Sequence, residues 1–258
     1  MPPLVLSVLS VLSVLSVLSV LSVLSVLSVL SVLSVLLYLP SMPTPMLAAG
    51  LAYDPELACR HLSQADPRLG ELIMRAGPFS MRPEPTQSLF AALFKAIVYQ
   101  QLSGRAAATI LGRVVAIYRP RRFPRPLDII ETPPDRLRTA GLSAGKTAAV
   151  RDLAARTLDG TVPPMARVRR MPDEEIIERL TTVRGVGRWT VEMLLLFRLG
   201  RPDVLPLGDL GVRKGFARTF GRRVLSDPGV LSRRAERWRP YRSVASWYLW
   251  RALDGEQA

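Results

Sequence analysis

The chain has 258 residues and a formal charge of +14, from 35 Lys+Arg against 21 Asp+Glu; all but three of the basic residues are arginines. One cysteine (Cys59) excludes a disulfide framework, a four-cysteine cluster and a zinc ribbon, and one histidine (His61) argues against a multi-histidine metal centre. A hydrophobic content of 48% excludes global disorder, while the basic excess points to a polyanionic partner, most simply nucleic acid.

In chain order, the first segment differs from all that follows. No charged residue precedes Asp54, and from Val5 to Ser34 the triplet Val-Leu-Ser repeats ten times without a substitution. The run is long enough and apolar enough to cross a bilayer. It lacks the basic flank of a signal peptide or an oriented span, and its period of three suits neither a helix nor a strand. Residues 1–45 are therefore expected to be a low-complexity repeat and Pro-rich linker outside the fold, with Met42 and Met46 as alternative starts. A membrane anchor is the rival reading of this tract. The functional domain is expected at 46–254.

From Asp54 on, the pattern is helical. Asp54-Pro55-Glu56 reads as an N-cap with Pro at the first helical position, opening a helix through about Gln64. Ser88–Ala96, with Leu89, Phe90, Leu93 and Phe94 at helical spacing, predicts an amphipathic helix. A break at Gln100–Gly104 precedes a helix over Arg105–Tyr118, then a basic, Pro-rich loop over Arg119–Pro126. Helices are predicted over Pro134–Ala140, Lys146–Leu158 and Asp173–Thr181. No stretch alternates with period two for long enough to make a strand, so the expected class is all-α.

The segment with chemical content starts at Leu180-Thr181-Thr182-Val183-Arg184-Gly185-Val186-Gly187-Arg188-Trp189-Thr190. Two glycines around a valine, between two helices (the second predicted over Thr190–Leu199), make a tight hairpin whose backbone can approach another molecule. The N-terminus of the second helix favours a phosphate, and Arg184 and Arg188 flank it. Such a helix-hairpin-helix grips a DNA backbone without reading its sequence. The predicted DNA contacts are Arg184, Gly185, Val186, Gly187, Arg188 and Thr190. Downstream, Asp209 follows a Gly/Pro turn and heads a predicted helix, Leu210–Phe220, where amide groups and the helix dipole favour the ionised carboxylate.

With Pro202-Asp203-Val204-Leu205-Pro206-Leu207-Gly208-Asp209 added to the hairpin, the chain resembles the helix-hairpin-helix/Gly-Pro-Asp superfamily of DNA base-excision glycosylases, in particular its DNA-3-methyladenine glycosylase II (AlkA-type) branch. Ile97-Val98-Tyr99-Gln100-Gln101-Leu102-Ser103 and Glu236-Arg237-Trp238-Arg239-Pro240-Tyr241-Arg242-Ser243 extend the likeness over nearly all of 54–254. It implies a two-lobed helical fold with the active site between the lobes and Asp209 as the essential carboxylate. It also implies a base pocket with Trp189, Met193 and Trp250, and Gln100 and Gln101 at the DNA, Gln101 filling the gap left by a flipped base. Met193 stands where some relatives have tyrosine, and Gln101 where a relative uses leucine. Trp238 and Trp247 read as core aromatics, and Asp203 as a turn residue.

Lysine occupies the position of Trp189 in the relatives that also cut the strand. The resemblance therefore implies a monofunctional enzyme with water as nucleophile, acting on alkylated purines in double-stranded DNA, 3-methyladenine first and 7-methylguanine as a further candidate. No cofactor is implied beyond a monovalent cation on the hairpin carbonyls of Thr181, Val183 and Gly185. The segment before Ser88 leaves no room for the N-terminal β-domain of some AlkA-type enzymes. A cytoplasmic, nucleoid-associated monomer without a membrane partner is expected; a non-catalytic helix-hairpin-helix DNA-binding protein is the alternative.

Overall fold

The computed structural model describes residues 51–84, 86, 88–221 and 227–254; the Val-Leu-Ser tract lies outside the described residues. No strand occurs among those described. The helices are α1 (Pro55–Ala65), α2 (Pro67–Ala76), α3 (Leu89–Tyr99), α4 (Gly104–Ala116), α5 (Pro126–Glu131), α6 (Pro134–Thr139), α7 (Ala144–Leu158), α8 (Met165–Val168), α9 (Asp173–Thr181), α10 (Arg188–Phe197), α11 (Leu210–Thr219) and α12 (Pro228–Ala235). A 3₁₀ turn (Glu236–Trp238) and α13 (Arg242–Arg251) complete the order. No described helix is long and apolar enough to cross a membrane.

Side-chain caps set several of the helix starts. Asp54 accepts the N–H groups of Glu56 and Leu57, and Ser88, Ser103 and Ser143 each cap the helix that follows. Helices α2, α5, α8 and α12 were not among those predicted. Helix α2 starts with the same Asp-Pro signal as α1, at Asp66-Pro67. Helix α5 begins inside the predicted basic loop, because Pro126 occupies its first turn and the Asp128 carboxylate accepts the Arg125 N–H.

Two hydrophobic cores give the two lobes. One is built from α3 to α10, around Phe94, Ile97, Leu153, Leu180 and Leu195. The other packs α1 and α2 against α11–α13, around Leu62, Leu72, Phe216, Trp238 and Tyr248. Phe197 and Trp250 pack against both cores, and their rings stack with centroids 5.7 Å apart. In the second lobe Asp66 is fully buried, and its carboxylate takes the Arg234 guanidinium at 2.7 and 2.8 Å and the Trp238 indole at 3.1 Å. Trp238 is thus a core residue, and half-buried Trp247 packs edge-on against Phe79 and Tyr248.

Candidate active site

The segment leading to Asp209 is pinned to α13. Ser243 donates its hydroxyl to the Arg201 carbonyl (2.6 Å) and accepts the Val204 N–H (2.9 Å). Asp203 is gripped by Arg242 (2.7 and 3.0 Å) and Arg239 (2.6 Å), a stronger restraint than a turn residue supplies. The chain then turns through the Asp209 N–H to the Pro206 carbonyl, and α11 begins.

Helix α11 lies unusually close to α13. A Cβ on Gly215 would fall 1.8 Å from the Leu249 carbonyl oxygen, and one on Gly211 would fall 2.7 Å from the Trp250 ring. Only glycine fits at either contact. The approach brings the end of α13 to the head of α11, where Trp250 Nε1 donates to Asp209 Oδ1 at 2.8 Å. The Val212 N–H donates to the same oxygen at 2.8 Å. The other oxygen, Oδ2, accepts Trp189 Nε1 at 2.8 Å. Asp209 therefore accepts three N–H donors: two indoles and the Val212 N–H through which it caps its own helix.

Trp189 reaches Asp209 from the other lobe. Gly185 sits at φ +78, a conformation that favours glycine, and Gly187 is the N-cap of α10 at an ordinary φ of −91. Helix α10 starts at Arg188, earlier than expected, which puts Trp189 in its first turn. The ring is 47% exposed and lines a cleft of about 870 Å³. Thr190, Met193, Leu194 and Phe197 of α10 form one wall; Ala92, Lys95, Ala96 and Tyr99 of α3, with Gln100 and Gln101, form another. The volume and the mainly apolar wall suit a small aromatic ligand. Neither Asp209 nor Trp250 is on this lining: Asp209 meets it through the Trp189 indole, and Trp250 through its stacked partner Phe197.

The other predicted residues divide into groups. Val186 and Thr190 are buried, so at the hairpin Val186 offers only backbone. Arg184 is exposed, and its N–H is held by Asp152 at 2.8 Å. Arg188 is engaged throughout: Glu174 takes it at 2.8 and 3.1 Å and Glu192 at 3.1 Å. Burial raises the Glu192 pKa, and the Arg188 hydrogen bond opposes that. The Glu174 hydrogen bond raises the Arg188 pKa in turn. Gln100 Nε2 donates to the Gly185 carbonyl at 2.9 Å, and exposed Gln101 adopts φ +56.

Of the three hairpin carbonyls, that of Gly185 accepts Gln100 and that of Val183 accepts the Val186 N–H, each retaining a second lone pair. Thr181 ends α9, where carbonyls lack intrahelical partners.

The pattern described as "HhH-GPD superfamily base excision DNA repair protein" matches residues 94–240, a stretch that includes the hairpin and Asp209. The chain belongs to that superfamily. A DNA-3-methyladenine glycosylase of Schizosaccharomyces pombe is 34% identical over 196 residues, covering 74% of this chain and 84% of the relative. A solved S. pombe 3-methyladenine DNA glycosylase, in complex with abasic DNA, superposes with a TM-score of 0.64 over 75% of this chain and 95% of the other, at 34% identity. A DNA-3-methyladenine glycosidase structure from Bacillus halodurans gives 0.69 at 32% identity, over 77% and 89%. These likenesses put this HhH-GPD chain in the AlkA-type branch. The donor pair on Asp209 and the glycines that admit Trp250 were missed in the sequence. A four-residue spacing of Gly211 and Gly215 on one helix face was the available signal.

Proposed function

We propose that this chain is a monofunctional DNA glycosylase that flips 3-methyladenine or 7-methylguanine out of duplex DNA and hydrolyses its N-glycosidic bond, leaving an abasic site. The observation that carries the reading is the Asp209 carboxylate, oriented by Val212, Trp250 and Trp189 beside the cleft. A non-catalytic DNA-binding protein has no use for a carboxylate so furnished.

The alkylated base enters the cleft, where the Trp189 face and the apolar wall of α10 hold it; aromatic faces favour its positive charge. The bond from C1′ to the ring nitrogen breaks with its electron pair going to the base, which leaves neutral. Asp209 stabilises the positive charge that develops on the sugar. A water oxygen bonds to C1′ and its proton passes to the carboxylate or to solvent. Oδ1 is committed to Val212 and Trp250, which fix the carboxylate plane. Oδ2 carries one donor, Trp189, whose half-exposed ring can turn from the carboxylate to the base at little packing cost.

Indole cannot form a Schiff base. Of the lysines, Lys95 lies on the cleft wall, Lys146 is tied to backbone carbonyls, and Lys214 is exposed on α11. A monovalent cation on the carbonyls of Thr181, Val183 and Gly185 would add positive charge for a DNA phosphate at the hairpin. The partner in this reading is double-stranded DNA carrying an alkylated base, bound by a monomer.

The test is release of free base by the purified chain from duplexes that each carry one lesion. Alkylated purines should be released, the strand should stay intact until alkali treatment, and borohydride should trap no adduct. Failure to release any alkylated purine overturns the glycosylase reading; a trapped adduct overturns the monofunctional one and makes Lys95 the first nucleophile to examine.

A further inference from the structure

Helix α7 touches both the loop after α3, which lines the cleft, and the hairpin that leads into α10, and does so along one face. At its start, Lys146 Nζ donates to the carbonyls of Val98 and Gln100, each at 2.7 Å. One turn on, the Ala149 methyl lies against Gly185, 3.3 Å from where a Cβ would stand. A turn further, Asp152 accepts the Arg184 N–H at 2.8 Å, braced by Arg156 at 3.0 Å. Residues three or four apart share a helix face, so one edge of α7 runs from the loop after α3 to the hairpin. The Gln100 side chain closes the ring by donating to the Gly185 carbonyl.

The Val98 and Gln100 carbonyls lie at the C-terminus of α3, where such groups lack helical partners and the dipole favours a cation. An ammonium satisfies both at once. The residue that follows, Gln101, is the one non-glycine with positive φ among the described residues, and it lines the cleft. A left-handed non-glycine persists where its surroundings over-determine it. Here they consist of Lys146 on the backbone before it and the Ser103 cap of α4 after it.

We propose that Lys146 is a positioning residue: its ammonium clamps the Gln100–Gln101 loop to α7, and α7 holds that loop at a fixed distance from the hairpin, setting the opening through which the base is drawn. Lys146 acts through the loop and does not touch the base. The proposal rests on the glycosylase reading for its consequence and on geometry alone for the clamp.

Two measurements on the full chain test it. Lys146→Met keeps the stem and removes the donors. Its kcat for 7-methylguanine paired with cytosine should fall about tenfold, the scale of one charged hydrogen bond. KM should hold within about twofold, because phosphate contacts persist. For the same lesion opposite a mismatch, where extrusion is easier, the loss should shrink to below about threefold. Lys146→Arg should recover most of the activity, and Gln100→Ala should share the paired-against-mismatched pattern. An equal loss on both duplexes, or none, overturns the positioning role. Hydrogen exchange reads the clamp without catalysis: Lys146→Met should speed exchange over 100–103 and 184–187 together, and acceleration confined to α7 overturns it. If the wild-type chain releases no base from either duplex, 7-methylguanine is excluded as its substrate, while the exchange result still decides the clamp.

Discussion

Helices α10 and α11 begin in opposite ways. Helix α11 is capped by its own Asp209, whose carboxylate accepts the Val212 N–H inside the first turn. Helix α10 starts from Gly187, which has no side chain to offer, and no side chain caps it. A helix N-terminus is worth about half a positive charge directed at whatever lies in front of it. One helix spends that field on an internal anion and so fixes a carboxylate beside the cleft. The other keeps it for an external anion, a DNA phosphate in the function proposed above. Trp189, in the first turn of the open helix, donates to the carboxylate that closes the other and couples the two. The comparison separates chemistry from grip: changes at Asp209 should alter turnover, and changes at the hairpin should alter binding.

The largest effect should come from Asp209→Asn. The amide keeps the cap acceptor but removes the charge, and base release should fall at least about a hundredfold. Binding to abasic-site DNA should change less than about threefold, since its phosphate contacts are untouched. The substitution also leaves one indole facing an amide donor instead of an acceptor, so tryptophan fluorescence should change in the free protein. Retention of more than a few per cent of activity would remove Asp209 from the chemistry.

Trp250→Phe should come next. It keeps a ring against Phe197 but deletes the N–H that, with Val212, fixes Oδ1. Loss of one hydrogen bond to a charged acceptor predicts a fall of roughly ten- to a hundredfold in kcat. If Trp250 were instead a stacking wall, phenylalanine would replace it with little loss in kcat, and only Trp250→Ala would be damaging.

Why the sequence revealed some of this and not the rest follows from range. The helix starting at Asp54-Pro55 and the 88–96 amphipathic stretch announce themselves within one or two turns, because capping and the 3.6-residue period are local. The same Asp-Pro signal recurs at Asp66-Pro67 and Asp227-Pro228, where it also starts helices. Asp209 was legible through its motif. Its indole donors were not, because Trp189 and Trp250 belong to helices that meet only when both lobes are formed. Their aromatic character was visible in the sequence, whereas the direction of each N–H was not. Arg188 shows both cases: Glu192, four residues on, was within reach of a local rule, and Glu174, on the preceding helix, was not.

That difference gives the smallest prediction, at the two arginines flanking the hairpin. The Arg184 guanidinium has no ion-pair partner among the described residues, whereas that of Arg188 is shared between Glu174 and Glu192. Arg184→Ala should weaken binding to all duplexes alike and reduce the slope of log K against log salt by about 1. Arg188→Ala should reduce that slope by less than about half as much, because the cation it removes is already neutralised. Its cost should appear instead in stability, of order 1 kcal/mol at neutral pH given the exposure of the guanidinium. The pH dependence has a definite sign. Burial already raises the Glu192 pKa, and removing Arg188 takes away the group that opposes the rise. A carboxyl whose folded pKa lies above its unfolded value costs stability where it must ionise, and that cost vanishes on acidification as the folded form keeps its proton. Arg188 also holds the Glu174 pKa down, a stabilisation present at neutral pH and lost on acidification. Both effects make the deficit of Arg188→Ala shrink as the pH falls through the carboxylate range, so denaturant midpoints of the two proteins should converge. A deficit independent of pH, or equal salt slopes for the two variants, would mean that Arg188 faces DNA rather than its own carboxylates.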